Sequence, residues 1–151
     1  MSDGGYYAIK GFEYQIDNTI LEVFKASNNT PICLEQIQDI NTNDFVTQVK
    51  YKETQKYTPT KIKESVIQLI NEYQKFQTKK YYLYCYFNDV EEGRRNLASS
   101  ELDRILGNKK NNFANPLKDG FLLNFKLHFS KSFHEQFVQV IKIRITMIFI
   151  I

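Results

Sequence analysis

Four side chains between Pro31 and Tyr51 have the types and spacing of a centre for phosphodiester hydrolysis: Glu35, Asp39, Gln48 and Lys50. Carboxylate and amide oxygens can hold one or two Mg²⁺ (or Mn²⁺) ions that activate water and neutralise charge developing on phosphorus. A lysine beside them can orient that water or stabilise the transition state. The competing reading is a solvent-facing hairpin with an ordinary Glu35–Lys50 cross-strand pair, worth ~0.2 to 1 kcal/mol. Spacing does not separate the two, because D-x8-Q-x-K arises readily by chance.

The elements that would position these groups are legible as periodicities. Residues Pro31 to Ile40 and Phe45 to Tyr51 read as two strands joined by the turn-forming set Asn41, Thr42, Asn43 and Asp44. A turn centred on Thr42 and Asn43 sets Glu35 opposite Lys50, Ile37 opposite Gln48 and Asp39 opposite Val46. Alternation then sends Glu35, Asp39, Gln48 and Lys50 to one face, with Leu34, Gln36, Gln38, Thr47, Val49 and Tyr51 on the other.

Helical spacing of Phe12, Ile16, Ile20 and Val23 predicts a first helix over Gly11 to Phe24, after an irregular lead-in at Gly4 and Gly5. Gln15 lies close to that stripe and needs an amide partner or a metal-bound water, whereas Glu13 falls on the more exposed face. Thr58 and Pro59 mark a second helix start, and Ile62, Val66, Leu69, Ile70 and Tyr73 form its buried stripe. The apolar run Tyr81 to Phe87 reads as a central strand covered on both faces. After a polar stretch from Asn88 to Asp119, alternation of Leu123, Phe125, Leu127 and Phe129 predicts a further strand. Ser132 and Glu135 form a capping box, followed by a closing helix with Phe133, Phe137, Val140 and Ile141 as its stripe.

The segments G11-F12-E13-Y14-Q15, L34-E35-x3-D39-I40 and Q48-V49-K50-Y51 resemble the nuclease domain of CD-NTase-associated double-stranded DNA endonucleases. That domain is shared with other anti-phage systems such as Lamassu and belongs to the PD-(D/E)XK superfamily, in which glutamine can replace the acid of the (D/E)-x-K motif. The resemblance covers residues 4 to 87. It implies a restriction-endonuclease-like α/β core, a mixed β-sheet flanked by helices, as one nuclease-like domain over residues 1–151. Carried over residue by residue, it makes Asp39 the metal-binding aspartate, Gln48 the variant ligand and Lys50 the catalytic lysine, with Glu35 and Gln15 completing the metal site. The superfamily core has a three-strand meander between its helices, so one strand here must be reduced or hidden near residue 30. Members commonly fuse the nuclease to a sensor or ATPase region, which makes a separate protein partner of that kind, or self-assembly, the expectation for so short a chain.

Composition fits one compact domain: 151 residues, 42% hydrophobic and 25% charged. Residues 1–60 carry 5 Lys/Arg against 8 Asp/Glu and residues 61–151 carry 15 against 9, a division suited to a metal site in front and polyanion contacts behind, and equally to random scatter. Three basic pairs, Lys79 with Lys80, Arg94 with Arg95 and Lys109 with Lys110, are candidate DNA phosphate contacts or plain solvated charge. Cys33 and Cys85 lie in apolar runs as small buried hydrophobes, and His128 and His134 lack companions for a metal pattern. No signal peptide is evident and the apolar run Ile145 to Ile151 is too short for a bilayer, so a soluble cytoplasmic protein without membrane contact is expected. The closing segment from Val138 to Ile151, apolar on too many sides for a lone exposed helix, packs on the core or docks a partner. Two functions follow as expectations: a metal-dependent DNA endonuclease of anti-phage defence, or a catalytically weak nucleic-acid-binding or assembly subunit of a larger defence complex. A purely structural subunit that recruits a larger machine is a third.

Overall fold

Three strands, where periodicity predicts two, are made from the stretch ahead of Tyr51. A computed structural model of the chain describes residues 4–25, 33–35 and 39–148. In it β1 (Cys33–Glu35) turns back on β2 (Asp39–Asn41), which turns back on β3 (Phe45–Lys52), both pairings antiparallel. The single strand expected over Pro31 to Ile40 is thus divided; Gln36, Ile37 and Gln38, together with Pro31 and Ile32, lie outside the described residues.

The turn also has its own register. Thr42 caps it through its hydroxyl, which accepts from the N–H of Asp44 (3.2 Å) and Phe45 (3.0 Å), while Thr42 N–H donates to Phe45 O at 2.9 Å. This closure pairs Asn41 with Val46, Ile40 with Thr47 and Asp39 with Gln48, so Asp39 faces Gln48 and not the expected Val46. The slip is an even number of residues, and it therefore leaves each residue on the face that alternation assigned it.

From β3 the chain crosses through a 3-10 turn (Pro59–Ile62) and α2 (Lys63–Lys75) into β4 (Lys80–Phe87), which pairs parallel with β3. The expected stripe of Ile62, Val66, Leu69, Ile70 and Tyr73 is buried throughout. Proline starts the 3-10 turn, but Thr58 makes no side-chain cap. β4 occupies an interior position, as expected, and its Tyr81, Leu83, Cys85 and Phe87 are buried while the alternate residues Tyr82, Tyr84 and Tyr86 are half-buried. β6 (Phe125–Phe129) adds parallel to β4, and β5 (Gly93–Arg95) closes the edge antiparallel to β6. The mixed sheet has the order β1-β2-β3-β4-β6-β5 and is flanked by helices on both faces, an α/β architecture.

The polar stretch after Asn88 hides two helices, α3 (Ser99–Leu106) and α4 (Asn115–Asn124). Leu102, Ile105 and Leu106 are buried at helical spacing inside otherwise charged sequence. Pro116 begins α4, which continues through Leu123; that residue is therefore helical and 80% exposed, not the first inward residue of a strand. α2, α3 and α4 cover one face of the sheet with the main core.

The opposite face is covered by α1 (Gly4–Lys25) and α5 (Phe133–Ile148), packed on each other. Helix α1 begins at Gly4, about two turns before the expected start at Gly11, since glycine costs little in a first turn whose N–H groups lack helical partners anyway. Its buried residues are Tyr14, Asn18 and Leu21, while Phe12 and Ile16 of the expected stripe stand 41% and 42% exposed. Tyr14 decides the rotation. Its ring packs on Tyr51 at 4.5 Å between centroids, and its hydroxyl bonds Ser130 and donates to Lys131 O at 3.0 Å.

The capping box of α5 forms as read, with the Ser132 N–H and hydroxyl donating to Glu135 at 3.1 and 2.8 Å. Its inward residues are nevertheless Gln136, which donates to Tyr14 O at 2.9 Å, and Val140. Phe137 and Ile141 face outward. Among the described residues no helix is long and apolar enough to cross a membrane.

Candidate functional site

Strand β3 outruns its neighbour, and the site lies where it does so. The β2 ladder covers Val46 to Gln48, leaving the outer edge of Val49 to Lys52 without a strand partner among the described residues. An open edge exposes backbone groups that need partners. Helix α1 supplies one: Gln15 Nε2 makes a long 3.5 Å contact to Val49 O. Helix α2 closes the other side, and together they bound a pocket of about 260 Å³ lined by Gly11, Gln15, Gln48, Lys50, Lys52, Glu64, Ser65 and Gln68 among others.

Within it Gln48 is buried, 8% exposed, and its Nε2 donates to Gln68 Oε1 of α2 at 2.8 Å. Lys50 follows on the same face of β3 and is partly exposed in the pocket. Lys52, two residues further, has its ammonium disfavoured chiefly by burial, with Lys50 and Lys61 adding like-charge repulsion. Lys50 and Lys52 therefore both line this wall, while the Lys61 ammonium nearby donates to Lys56 O at 2.6 Å.

Asp39 sits directly across the ladder from Gln48, and Glu35 directly across β2 from Asp39. The register thus sets Glu35, Asp39 and Gln48 in one row over three strands, whereas the expected direct pairing of Glu35 with Lys50 is not made. The side chains of Glu35 and Asp39 lie outside the described residues. Residues directly opposed in an antiparallel pair have Cβ atoms about 4.5–5.5 Å apart. That separation lets two oxygen donors share one hard cation at the ~2.0–2.1 Å bond length of Mg²⁺. By residue type and backbone register alone, Asp39 and Gln48 are compatible with a shared divalent ion. Among the described residues no group of three or more His, Cys, Asp and Glu is gathered tightly enough to hold a metal.

No protein-family model matches the chain, and no match was found among curated proteins or solved structures.

Besides Lys52, three pocket residues were not singled out in the sequence: Glu64, Ser65 and Gln68. They occupy one face of the first turns of α2, and the i, i+4 pair of Glu64 and Gln68 beside the apolar stripe was the available signal. Lys52 was legible as the next outward step after Gln48 and Lys50.

The basic pairs are distributed differently. Lys79 donates to Asn41 Oδ1 at 2.8 Å and Thr42 O at 2.7 Å, tying down the β2–β3 turn, and Lys80 donates to Asn124 Oδ1 at 2.7 Å. Arg94 and Arg95 lie on edge strand β5, with the Arg95 guanidinium 4.7 Å above Phe129. Lys109 and Lys110 are exposed on the 3-10 segment after α3. The His128 ring packs on Tyr84 at 4.6 Å between centroids, tilted by 40°, and His134 is exposed in the first turn of α5. Cys85 is fully buried and its thiol is pushed up by burial, which makes it an inert core group; the side chain of Cys33 lies outside the described residues.

Proposed function

We propose that the chain is a metal-dependent phosphodiesterase with a restriction-endonuclease-like core, acting on DNA as an effector of anti-phage defence. The observation that carries this reading is the direct opposition of Asp39 and Gln48, with Lys50 one alternate position further in the same pocket. The order helix, three-strand meander, helix, parallel strand also supports it, since the resemblance implied a meander and the sequence offered only two legible strands.

In this reading Asp39 and Gln48, with Glu35 or Glu64 in support, would hold Mg²⁺ or Mn²⁺. The ion would supply a water of lowered pKa and positive charge beside the phosphate. Lys50 orients the attacking water and stabilises charge on the non-bridging oxygens, and Lys52 brings the phosphate backbone to the pocket mouth. Gln15 braces the open edge of β3. Helices α1 and α2 limit the approach to one side, which favours a flexible or distorted strand over a rigid duplex at the reacting phosphate.

The test is degradation of plasmid DNA by the wild type, Lys50→Ala and Asp39→Ala with Mg²⁺, Mn²⁺ or EDTA, alone and with the products of neighbouring genes. Metal-dependent cutting that both substitutions abolish, with folding intact, supports the reading. Absence of cutting in every mixture, with DNA binding indifferent to Lys50, rejects it in favour of a nucleic-acid-binding or assembly subunit.

A specific observation favours assembly as a companion role. Tyr6, Ile9, Phe12 and Ile16 on α1, with Phe137 and Ile141 on α5, leave large apolar side chains 38% to 63% exposed on one helical layer. A self-associated form, or one bound to a sensor or ATPase subunit, would cover them. Sedimentation of the wild type against Ile9→Glu and Ile16→Glu separates self-association from a monomer.

A further inference from the structure

A carboxylate offers oxygen at both ends, whereas an amide offers oxygen at one end and N–H donors at the other. Gln48 stands where a cation-binding acid would need no orienting device. A buried glutamine at that place does need one, because a half-turn of its amide would present N–H groups to the cation and repel it.

We propose that Gln68 is the positioning residue that sets the Gln48 amide. Its Oε1 accepts from Gln48 Nε2 at 2.8 Å, which holds the nitrogen against α2 and turns the carbonyl oxygen to the other side of the amide. Gln68 projects from the exposed side of α2, so its own amide can rotate to offer oxygen, while Gln48, 8% exposed, is confined. The surroundings favour the same orientation. Lys50 lies two residues along the strand on the same face, and a carbonyl oxygen is the end of the amide that an ammonium or a metal ion attracts. Outer-shell hydrogen bonds of this kind orient ligands and tune metal affinity about 10- to 100-fold.

The inference rests on the reading of Asp39 and Gln48 as cation ligands, and a binding cycle with Mn²⁺ separates its failure from the failure of that reading. Mn²⁺ affinity is measured by titration calorimetry on the full chain for the wild type, Gln68→Met, Gln48→Glu and the double variant. Methionine is neutral, similar in length and accepts no comparable hydrogen bond, and its exposed helical position keeps the fold safe, as thermal melts would verify. The expected result is a loss of about tenfold or more in the wild-type background and little loss in the Gln48→Glu background, where both ends of the side chain are oxygen. No loss from Gln68→Met, or an equal loss in both backgrounds, overturns the positioning role and leaves the metal site standing. Absence of Mn²⁺ binding by the wild type overturns the metal site itself.

Discussion

Asp39 and Gln48 face each other across the β2–β3 ladder. A one-residue change of register would send one of them to the opposite face, so the Thr42 turn that sets the pairing is part of the site's construction.

That opposition predicts how Gln48→Glu behaves. Without metal the substitution sets a carboxylate opposite Asp39 in a buried position, and directly opposed like charges destabilise a sheet by about 0.2–1 kcal/mol before any burial cost. The melting temperature in EDTA should fall by a few degrees, at roughly 2–4 °C per kcal/mol for a chain of this size. Excess Mn²⁺ should recover most of the loss. Calorimetric melts with and without metal check both halves.

The lysine wall predicts a salt signature. Lys52 is expected to contact phosphate, so its alanine substitution should weaken DNA binding and lower the slope of log affinity against log salt by about 0.7–0.9. Lys79→Ala should leave that slope unchanged, because its ammonium is engaged by Asn41 and Thr42 O, and should instead lower stability by loosening the turn. Anisotropy titrations at several salt concentrations distinguish the two behaviours.

Gly120 in α4 predicts an exception to helix propensity. Alanine would ordinarily gain about 1 kcal/mol at an interior helical position, yet its Cβ would meet the Tyr73 hydroxyl at 2.5 Å. The Tyr73 ring is held edge-on to Tyr81 and Phe121 and cannot swing away cheaply. Overpacking of this sort costs about 1–3 kcal/mol, so Gly120→Ala should be net destabilising. Adding Tyr73→Phe removes the offending oxygen and should restore most of the loss, as urea melts of the single and double variants would report.

Buried tyrosines predict an alkaline limb. Burial pushes the Tyr81 hydroxyl up from 10.0 to about 12, and Tyr14 and Tyr51 are raised as well, in each case chiefly by burial. The folded state then holds protons that the unfolded chain has released, so stability contributed by Tyr81 is complete below pH 10 and lost between pH 10 and about 12. Lys52, lowered by burial, acts in the opposite sense below 10.5. Tyr81→Phe forfeits the hydrogen bond to Phe76 O, about 1 kcal/mol at neutral pH, and should flatten the alkaline limb. Unfolding followed by circular dichroism against pH checks the difference between the two proteins.

Much of the local structure was legible because it repeats with the period of its element. The stripe from Ile62 to Tyr73, the alternation around Leu127 and the Ser132–Glu135 box each need only neighbours along the chain. The chemical vocabulary of Asp39, Gln48 and Lys50 was equally visible. What periodicity left open was which face of an amphipathic helix is inward. Phe12 and Ile16 form as good a stripe as Tyr14, Asn18 and Leu21, and only the ring shelf of Tyr51 and Tyr86 selects the second. The two helices after Asn88 were obscured because each needs few apolar residues when α2 supplies the rest of the core.

The sequence by itself determined the residue types of the site and the alternation that keeps them on one face, since both are properties of neighbouring residues. The tertiary structure decided the rest: that Asp39 meets Gln48, that β3 runs past β2 to open an edge, and that Gln68 and Glu64 reach the pocket from α2. Those relations depend on turn closure and on packing between elements distant in the chain, and no local period encodes them.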